Sequence, residues 1–115
     1  MSLRSPLHTA NRRAGKRRVL RGPATVACGT MQTHARAWDV GLDGVCMLTK
    51  RPISPGTRCA ASFGLPINGV VTPVTAQVKV VYSSFSGPDG FKLGLVFVDL
   101  DSDAAELISR FLAAS

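Results

Sequence analysis

Residues 70–97 read VVTPVTAQVKVVYSSFSGPDGFKLGLVF. Val74, Ala76, Val78, Val80 and Tyr82 recur at every second position, the period that lines one face of a β-strand. Ser86-Gly-Pro-Asp-Gly90 interrupts the run with residues that favour a tight reversal. Phe91, Leu93, Leu95 and Phe97 then share one face of a second strand. The stretch predicts a long antiparallel hairpin.

Upstream, shorter β segments follow one another with turn residues between them. Pro23–Cys28, Gln32–Val40, Val45–Thr49 and Thr57–Phe63 are the segments. Gly29-Thr30, Gly41 to Gly44, the Pro52/Pro55/Gly56 loop and the Gly64, Pro66, Asn68, Gly69 cluster separate them. In the second segment Thr33, Ala35 and Ala37 oppose His34, Arg36 and Trp38. Downstream the period changes. Asp101 to Asp103 offer helix N-caps, and Glu106 follows Asp103 by three, close to a capping box. Leu107, Ile108, Phe111 and Leu112 then form one apolar helical stripe over about residues 103–113. The expected fold is all-β, a small six-stranded antiparallel barrel with a C-terminal α-helix. The lack of a long helical pattern between strands argues against a parallel βαβ sheet.

A chain of 115 residues has room for one domain. Residues 1–11 carry neither period nor bulk and read as a flexible arm; residues 12–21 (RRAGKRRVLR) are too charged for a core. We expect 12–21 to order only against a counter-anion, with the barrel proper spanning 22–99. Net charge is +7, and all of the excess sits at the front: residues 1–38 contain eight basic groups and no acid. Such a local excess implies an anionic partner. Three cysteines without a CxxC pair (Cys28, Cys46, Cys59) read as free thiols in a reducing cytosol, not a disulfide framework or zinc site. No secretion signal is visible, and apolar runs such as Leu93–Val98 are strand-sized. We expect a soluble cytoplasmic protein with no membrane insertion.

Enzyme signatures are poor. His8 falls in the arm, and His34 stands alone in a strand. GxSxG, HExxH and Walker patterns are absent. Gly41 and Gly44 are not followed by a helix, which excludes a dinucleotide-binding βαβ unit. Asp99, Asp101 and Asp103 fit helix capping better than calcium ligation, since the Gly and Glu of an EF-hand loop are missing. No metal site, resident cofactor or catalytic residue is expected.

The arginines are more telling. Arg13 and Arg17 are four apart, as are Arg17 and Arg21. A guanidinium grips phosphate through a planar fork, stacks on a base, and donates to guanine O6 and N7. A solvated basic tail is the plainer account of such a cluster. Asp39-Val-Gly-Leu-Asp-Gly44 closes one strand and opens the next. The Asp39 carboxylate has the geometry to accept from the guanine N1–H and N2–H₂ edge, and Gly44 would permit close backbone approach. A simple β-turn explains that segment about as well.

In their order and spacing these elements resemble the PilZ family. That family carries RxxxR just before its first barrel strand and (D/N)xSxxG across a later strand junction. Arg12-Arg13-Ala-Gly-Lys-Arg17 matches the first, and Asp39-Val-Gly-Leu-Asp-Gly44 matches the second except at Gly41, where the family usually has Ser. The resemblance covers about residues 12–113. It implies a bacterial receptor for cyclic di-GMP, often bound as a stacked pair. Carried over, Arg13 and Arg17 would grip phosphates and guanine faces with Arg12 assisting. Asp39 would read a guanine edge, and Gly41 and Gly44 would line the approach. Arg18 or Arg21 would substitute if Arg17/Arg21 is the working pair. The hydroxyl lost at Gly41 is worth about 0.5–1.5 kcal/mol, or roughly 2- to 13-fold in affinity. If Asp39 faces the ligand, simple alternation sends Trp38 to the other side, against the barrel or helix.

The leading expectation is a non-enzymatic receptor whose Arg-rich segment orders on the ligand and thereby alters a protein partner, with motility or polysaccharide-secretion machinery as candidates. The alternative is a PilZ adaptor that ignores the nucleotide and acts by protein contact. A nucleic-acid-binding barrel is disfavoured, because seven aromatics, several on core faces, make a thin stacking platform.

Overall fold

A computed structural model describes residues 16–114. Six strands run in chain order: β1 Arg17–Cys28, β2 Met31–Gly41, β3 Gly44–Thr49, β4 Arg58–Ile67, β5 Val70–Phe85 and β6 Phe91–Asp99. They close into an antiparallel barrel of order β1-β2-β3-β6-β5-β4, with β4 returning to pair with β1. The β5–β6 hairpin turns through a single 3₁₀ turn at Gly87–Asp89. Helix α1, Ser102–Ala113, follows β6. Among the described residues no helix is long and apolar enough to cross a membrane.

The alternation that predicted the barrel builds its interior. Val74, Ala76, Val78 and Val80 of β5 and Leu93 and Leu95 of β6 are all buried, as are Val26, Val40 and Met47 from the neighbouring strands. In β3, with six consecutive buried residues, both faces are covered. The α1 stripe joins this core through Ala104, Ile108, Phe111 and Leu112, while Leu107 packs at its margin. The helix starts one residue earlier than expected. Asp101 accepts from the Ala104 amide at 2.8 Å, and Glu106 instead pairs with Arg110 at 3.6 Å, so no Asp103/Glu106 capping box forms.

Three features depart from simple alternation. First, β1 begins at Arg17, not near Pro23. Arg17, Arg18 and Val19 pair with Gly41, Val40 and Asp39 of β2. Within β1 the chain itself supplies partners for the guanidiniums of Arg17, Arg18 and Arg21, described below, while residues 12–15 of the basic segment lie outside the described residues. Secondly, a bulge interrupts β2. Leu20 and Arg21 of β1 face the single residue Trp38, and Trp38 has no counterpart in β3. Ala37 and Val40 are both buried, with the part-exposed Trp38 and Asp39 between them. The extra residue keeps Asp39 out of the core that Ala35 and Ala37 enter. Trp38 does not turn to the opposite face from Asp39; it takes the Arg21 guanidinium over its ring, 3.7 Å from the centroid.

Thirdly, Tyr82 does not share the Val74–Val80 face. Pairing steps from Val80 with Leu95 to Tyr82 with Gly94, leaving Val81 as an inserted residue. Val81 and Tyr82 are consecutive exposed residues after a run of strict alternation. The Ser83 hydroxyl, displaced to the inner side, is buried without a hydrogen-bond partner among the described residues.

Candidate ligand-binding site

The pairing of Arg17 with Gly41 sets the start of β1 against the end of β2, where the two acids of the β2–β3 turn stand. Arg17 Nε and Nη2 both lie 2.8 Å from Asp39 Oδ1. Arg17 Nη1 donates to Asp43 Oδ1 at 2.8 Å, and Nη2 makes a long contact of 3.4 Å to the Gly44 carbonyl. One guanidinium thus holds two carboxylates. The three side chains are part exposed, at 35%, 25% and 49% for Arg17, Asp39 and Asp43, so they remain open to solvent and to a ligand.

The glycines of this turn are there for packing. A Cβ on Gly41 would stand 2.9 Å from Asp43 Oδ1 and 3.0 Å from the Lys16 carbonyl. The missing side chain is what leaves space for the Asp43 carboxylate beside Arg17. A Cβ on Gly44 would collide with the Leu95 carbonyl of β6, so glycine here lets β3 and β6 close up. Access for a ligand is not needed to explain it.

A surface cavity of about 390 Å³ opens beside the triad. Arg17, Asp39 and Asp43 line it together with Cys46, Tyr82, Lys92 and Gly94. Burial pushes the Cys46 thiol up from its ordinary range, against the hydrogen bond from Tyr82. Burial first, then Cys46, pushes the Tyr82 hydroxyl up to about 12. Both groups therefore stay protonated at neutral pH.

The other arginines are occupied elsewhere. Arg18 Nη1 donates to the Phe111 carbonyl of α1 at 2.6 Å, with its guanidinium 4.2 Å from the centre of the Phe111 ring. Arg21 covers Trp38. Arg12 and Arg13 lie outside the described residues. Of the residues singled out from sequence, Arg17, Asp39, Gly41 and Gly44 come together, and Arg18 and Arg21 point to other partners. Asp43, Tyr82 and Lys92 were not singled out. Asp43 carried a usable signal: it is a second acid within five residues of Asp39, opposite an arginine-rich strand.

The sequence model of the PilZ domain matches residues 11–114. The chain belongs to the PilZ family. No characterised protein matches this PilZ domain by sequence search. Solved structures share its fold. The Bacillus subtilis inhibitor of motility (MotI/DgrA) superposes with a TM-score of 0.77 at 8% identity, over 87% of this chain and 49% of that one. The Borreliella burgdorferi PlzA protein, solved in complex with c-di-GMP, superposes with a TM-score of 0.57 at 16% identity, over 78% of this chain and 32% of PlzA. The PilZ domain thus spans about half of one neighbour and a third of the other.

Proposed function

We propose that this PilZ domain is a non-enzymatic receptor for cyclic di-GMP and that Arg17 is the centre of its site. The observation that carries the reading is the convergence of Arg17 on Asp39, 22 residues away, at the mouth of an open cavity. A guanidinium supplies phosphate-binding and base-stacking surface, and a carboxylate supplies the acceptors that a guanine edge requires. Arg13 precedes Arg17 by four residues, a reach of at most about 14 Å for an extended chain. A ligand on Arg17 is therefore within range of Arg12 and Arg13. PlzA, a structural neighbour, was solved with this dinucleotide bound, which makes it the first ligand to try.

In this reading the ligand takes Arg17 from Asp43, keeps Asp39 as a guanine acceptor, and gathers residues 12–16 onto the barrel. The changed surface then acts on a protein partner, with motility or polysaccharide-secretion machinery as candidates. The test is a calorimetric titration of cyclic di-GMP into wild type and Arg17→Ala. Saturable heat in the wild type and its loss in Arg17→Ala support the reading. No heat with folded wild type, or equal affinity in both, rejects it.

A second reading, the adaptor that does not bind nucleotide, has one observation in its favour. The Arg17 guanidinium is already satisfied by two carboxylates, and the hydroxyl usual at position 41 is absent. A folded protein that ignores the nucleotide yet retains a specific protein partner would establish it.

A further inference from the structure

The ladder that closes the barrel is its shortest. Strands β1 and β4 share four residue pairs, from Ala24 with Phe63 to Ala27 with Ala60, fewer than any other neighbouring strands. One step beyond the last pair, the same register sets Cys28, the final residue of β1, opposite Cys59 of β4. Both side chains turn inward. Cys59 shares the buried face of β4 with Ala61 and Phe63, and Cys28 continues the row of Ala24 and Val26. The two thiols are hydrogen-bond neighbours.

Spacing along the chain does not reveal this pair; closure of the barrel makes it. Both are free thiols in the structure. Directly opposed Cα atoms of an antiparallel ladder lie roughly 4.5–5.5 Å apart, within the roughly 4.4–6.8 Å that a disulfide spans. Opposed Cβ atoms also lie roughly 4.5–5.5 Å apart, wider than the roughly 3.5–4.5 Å of a relaxed bridge. Closing the bond therefore draws the strands together at a cost, and a strained bridge is readily reduced again. The third cysteine is engaged elsewhere: Cys46 on β3 has its sulfur 3.9 Å from the Tyr82 hydroxyl.

We propose that Cys28 and Cys59 form a reversible disulfide that locks the β1–β4 seam when the protein meets a low-molecular-weight disulfide such as oxidised glutathione. Cys28, the less buried of the two, reacts first. Its thiol loses a proton, its sulfur bonds to one sulfur of the small disulfide, and the other sulfur leaves and is protonated to a thiol. The Cys59 thiol then loses its proton and attacks the Cys28 sulfur, expelling the second small thiol. Two protein thiols are oxidised to one disulfide, and one small disulfide is reduced to two thiols. Burial, then the Cys28 thiol beside it, pushes the Cys59 thiol up to about 12, so its attack is the slow step. The bond adds a covalent tie just where the seam has fewest backbone pairs to resist opening.

The test treats folded, reduced wild type, Cys28→Ala, Cys59→Ala and Cys46→Ala with excess oxidised glutathione, followed by intact mass and a non-reducing trypsin digest. Cleavage after Lys and Arg puts each cysteine in its own peptide: Cys28 in residues 22–36, Cys46 in 37–50 and Cys59 in 59–79. We expect wild type and Cys46→Ala to lose two hydrogens and to yield the 22–36 peptide linked to 59–79. Cys59→Ala stops at a mixed disulfide on Cys28, and Cys28→Ala forms no bridge. In the bridged protein the unfolding constant falls roughly 30- to 900-fold. Amide exchange slows at Ala24–Ala27 and Ala60–Phe63, and dithiothreitol reverses both effects. A bridge that includes Cys46, a bridge between two molecules, or a wild type that stays reduced or stops at the mixed disulfide overturns the proposal. A bridged protein with unchanged unfolding and exchange overturns the locking of the seam. Wild type and Cys46→Ala decide these outcomes even if the other two variants fail to fold.

Discussion

Arg18, the neighbour of Arg17, is fastened to Phe111 in two ways. Its Nη1 donates to the Phe111 carbonyl at 2.6 Å, and its guanidinium lies 4.2 Å from the centre of the same residue's ring. Adjacent arginines on β1 therefore serve different ends: Arg17 reaches the β2–β3 turn, and Arg18 reaches the last turn of α1. Since Arg18 closes off a helix-terminal carbonyl and packs on a buried ring, its loss should be felt in stability.

That division predicts a crossing pair of phenotypes. Arg18→Ala should lower unfolding free energy by about 1–3 kcal/mol, from a charged hydrogen bond and a cation–π contact. Arg17→Ala should cost about 0–1 kcal/mol, because its ion pairs are open to solvent. Nucleotide binding should rank the two the other way, with Arg17→Ala the more damaged. Urea unfolding and calorimetry on the same two proteins check both halves. The reverse order in either assay would contradict the assignment.

Asp43 should act as a competitor for Arg17. Removing it by Asp43→Ala frees one face of the guanidinium, and cyclic di-GMP affinity should rise severalfold. Gly41→Ser alone should not gain the roughly 2- to 13-fold that one hydroxyl contact supplies. The new Cβ would stand 2.9 Å from Asp43 Oδ1 and 3.0 Å from the Lys16 carbonyl. The double variant Gly41→Ser/Asp43→Ala should recover more than the sum of the single changes. A double-mutant cycle on binding free energies measures that coupling, and strict additivity would refute it.

Alkali should destabilise the barrel before it reaches ordinary tyrosine chemistry. Burial, with Cys28 beside it, pushes the Cys59 thiol from 9.0 up to about 12. Tyr82 is pushed from 10.0 up to about 12. Both groups hold their protons more tightly folded than unfolded. The stability they confer is complete below about pH 9 and is lost as pH rises towards 12. The urea midpoint should therefore fall from pH 9 to 11, and Cys59→Ala and Tyr82→Phe should each flatten that slope, whatever their offsets. A midpoint independent of pH over this window would be evidence against both assignments.

The contact of Arg21 with Trp38 offers a test between the two overlapping arginine pairs. Arg21 adopts a positive φ of 50° inside the bulge and stacks on the chain's single tryptophan. Arg21→Ala should shift Trp38 emission and cost about 0.5–1 kcal/mol, while leaving nucleotide affinity near wild type. Loss of binding on a par with Arg17→Ala would favour Arg17/Arg21 as the working pair.

Much of this was legible in the chain. The Val74–Val80 alternation, the Ser86–Gly90 break and the Leu107–Leu112 stripe come from periodicity, and the structure follows each of them. Arg17 and Asp39 were legible as types and spacing. What periodicity could not reveal were the places where the count itself slips. Trp38 and Val81 are single inserted residues, and nothing in their side chains marks them as such. Counting by twos through them put Tyr82 on the Val74–Val80 face and set Trp38 opposite Asp39. The ordering of residues 17–21 was missed for another reason. Like charges there look repulsive until the tertiary partners Asp39, Asp43, Phe111 and Trp38 are known.

The inserted Val81 also changes which mutations matter. Deleting one codon near it would return the strand to unbroken alternation and swing the phenol into the barrel, leaving every other amino acid as it was. Family members that match this chain at each recognisable motif position but differ by one residue in length there would therefore present a different outer face. For this domain, a gap in an alignment near residue 81 carries more chemical information than most substitutions.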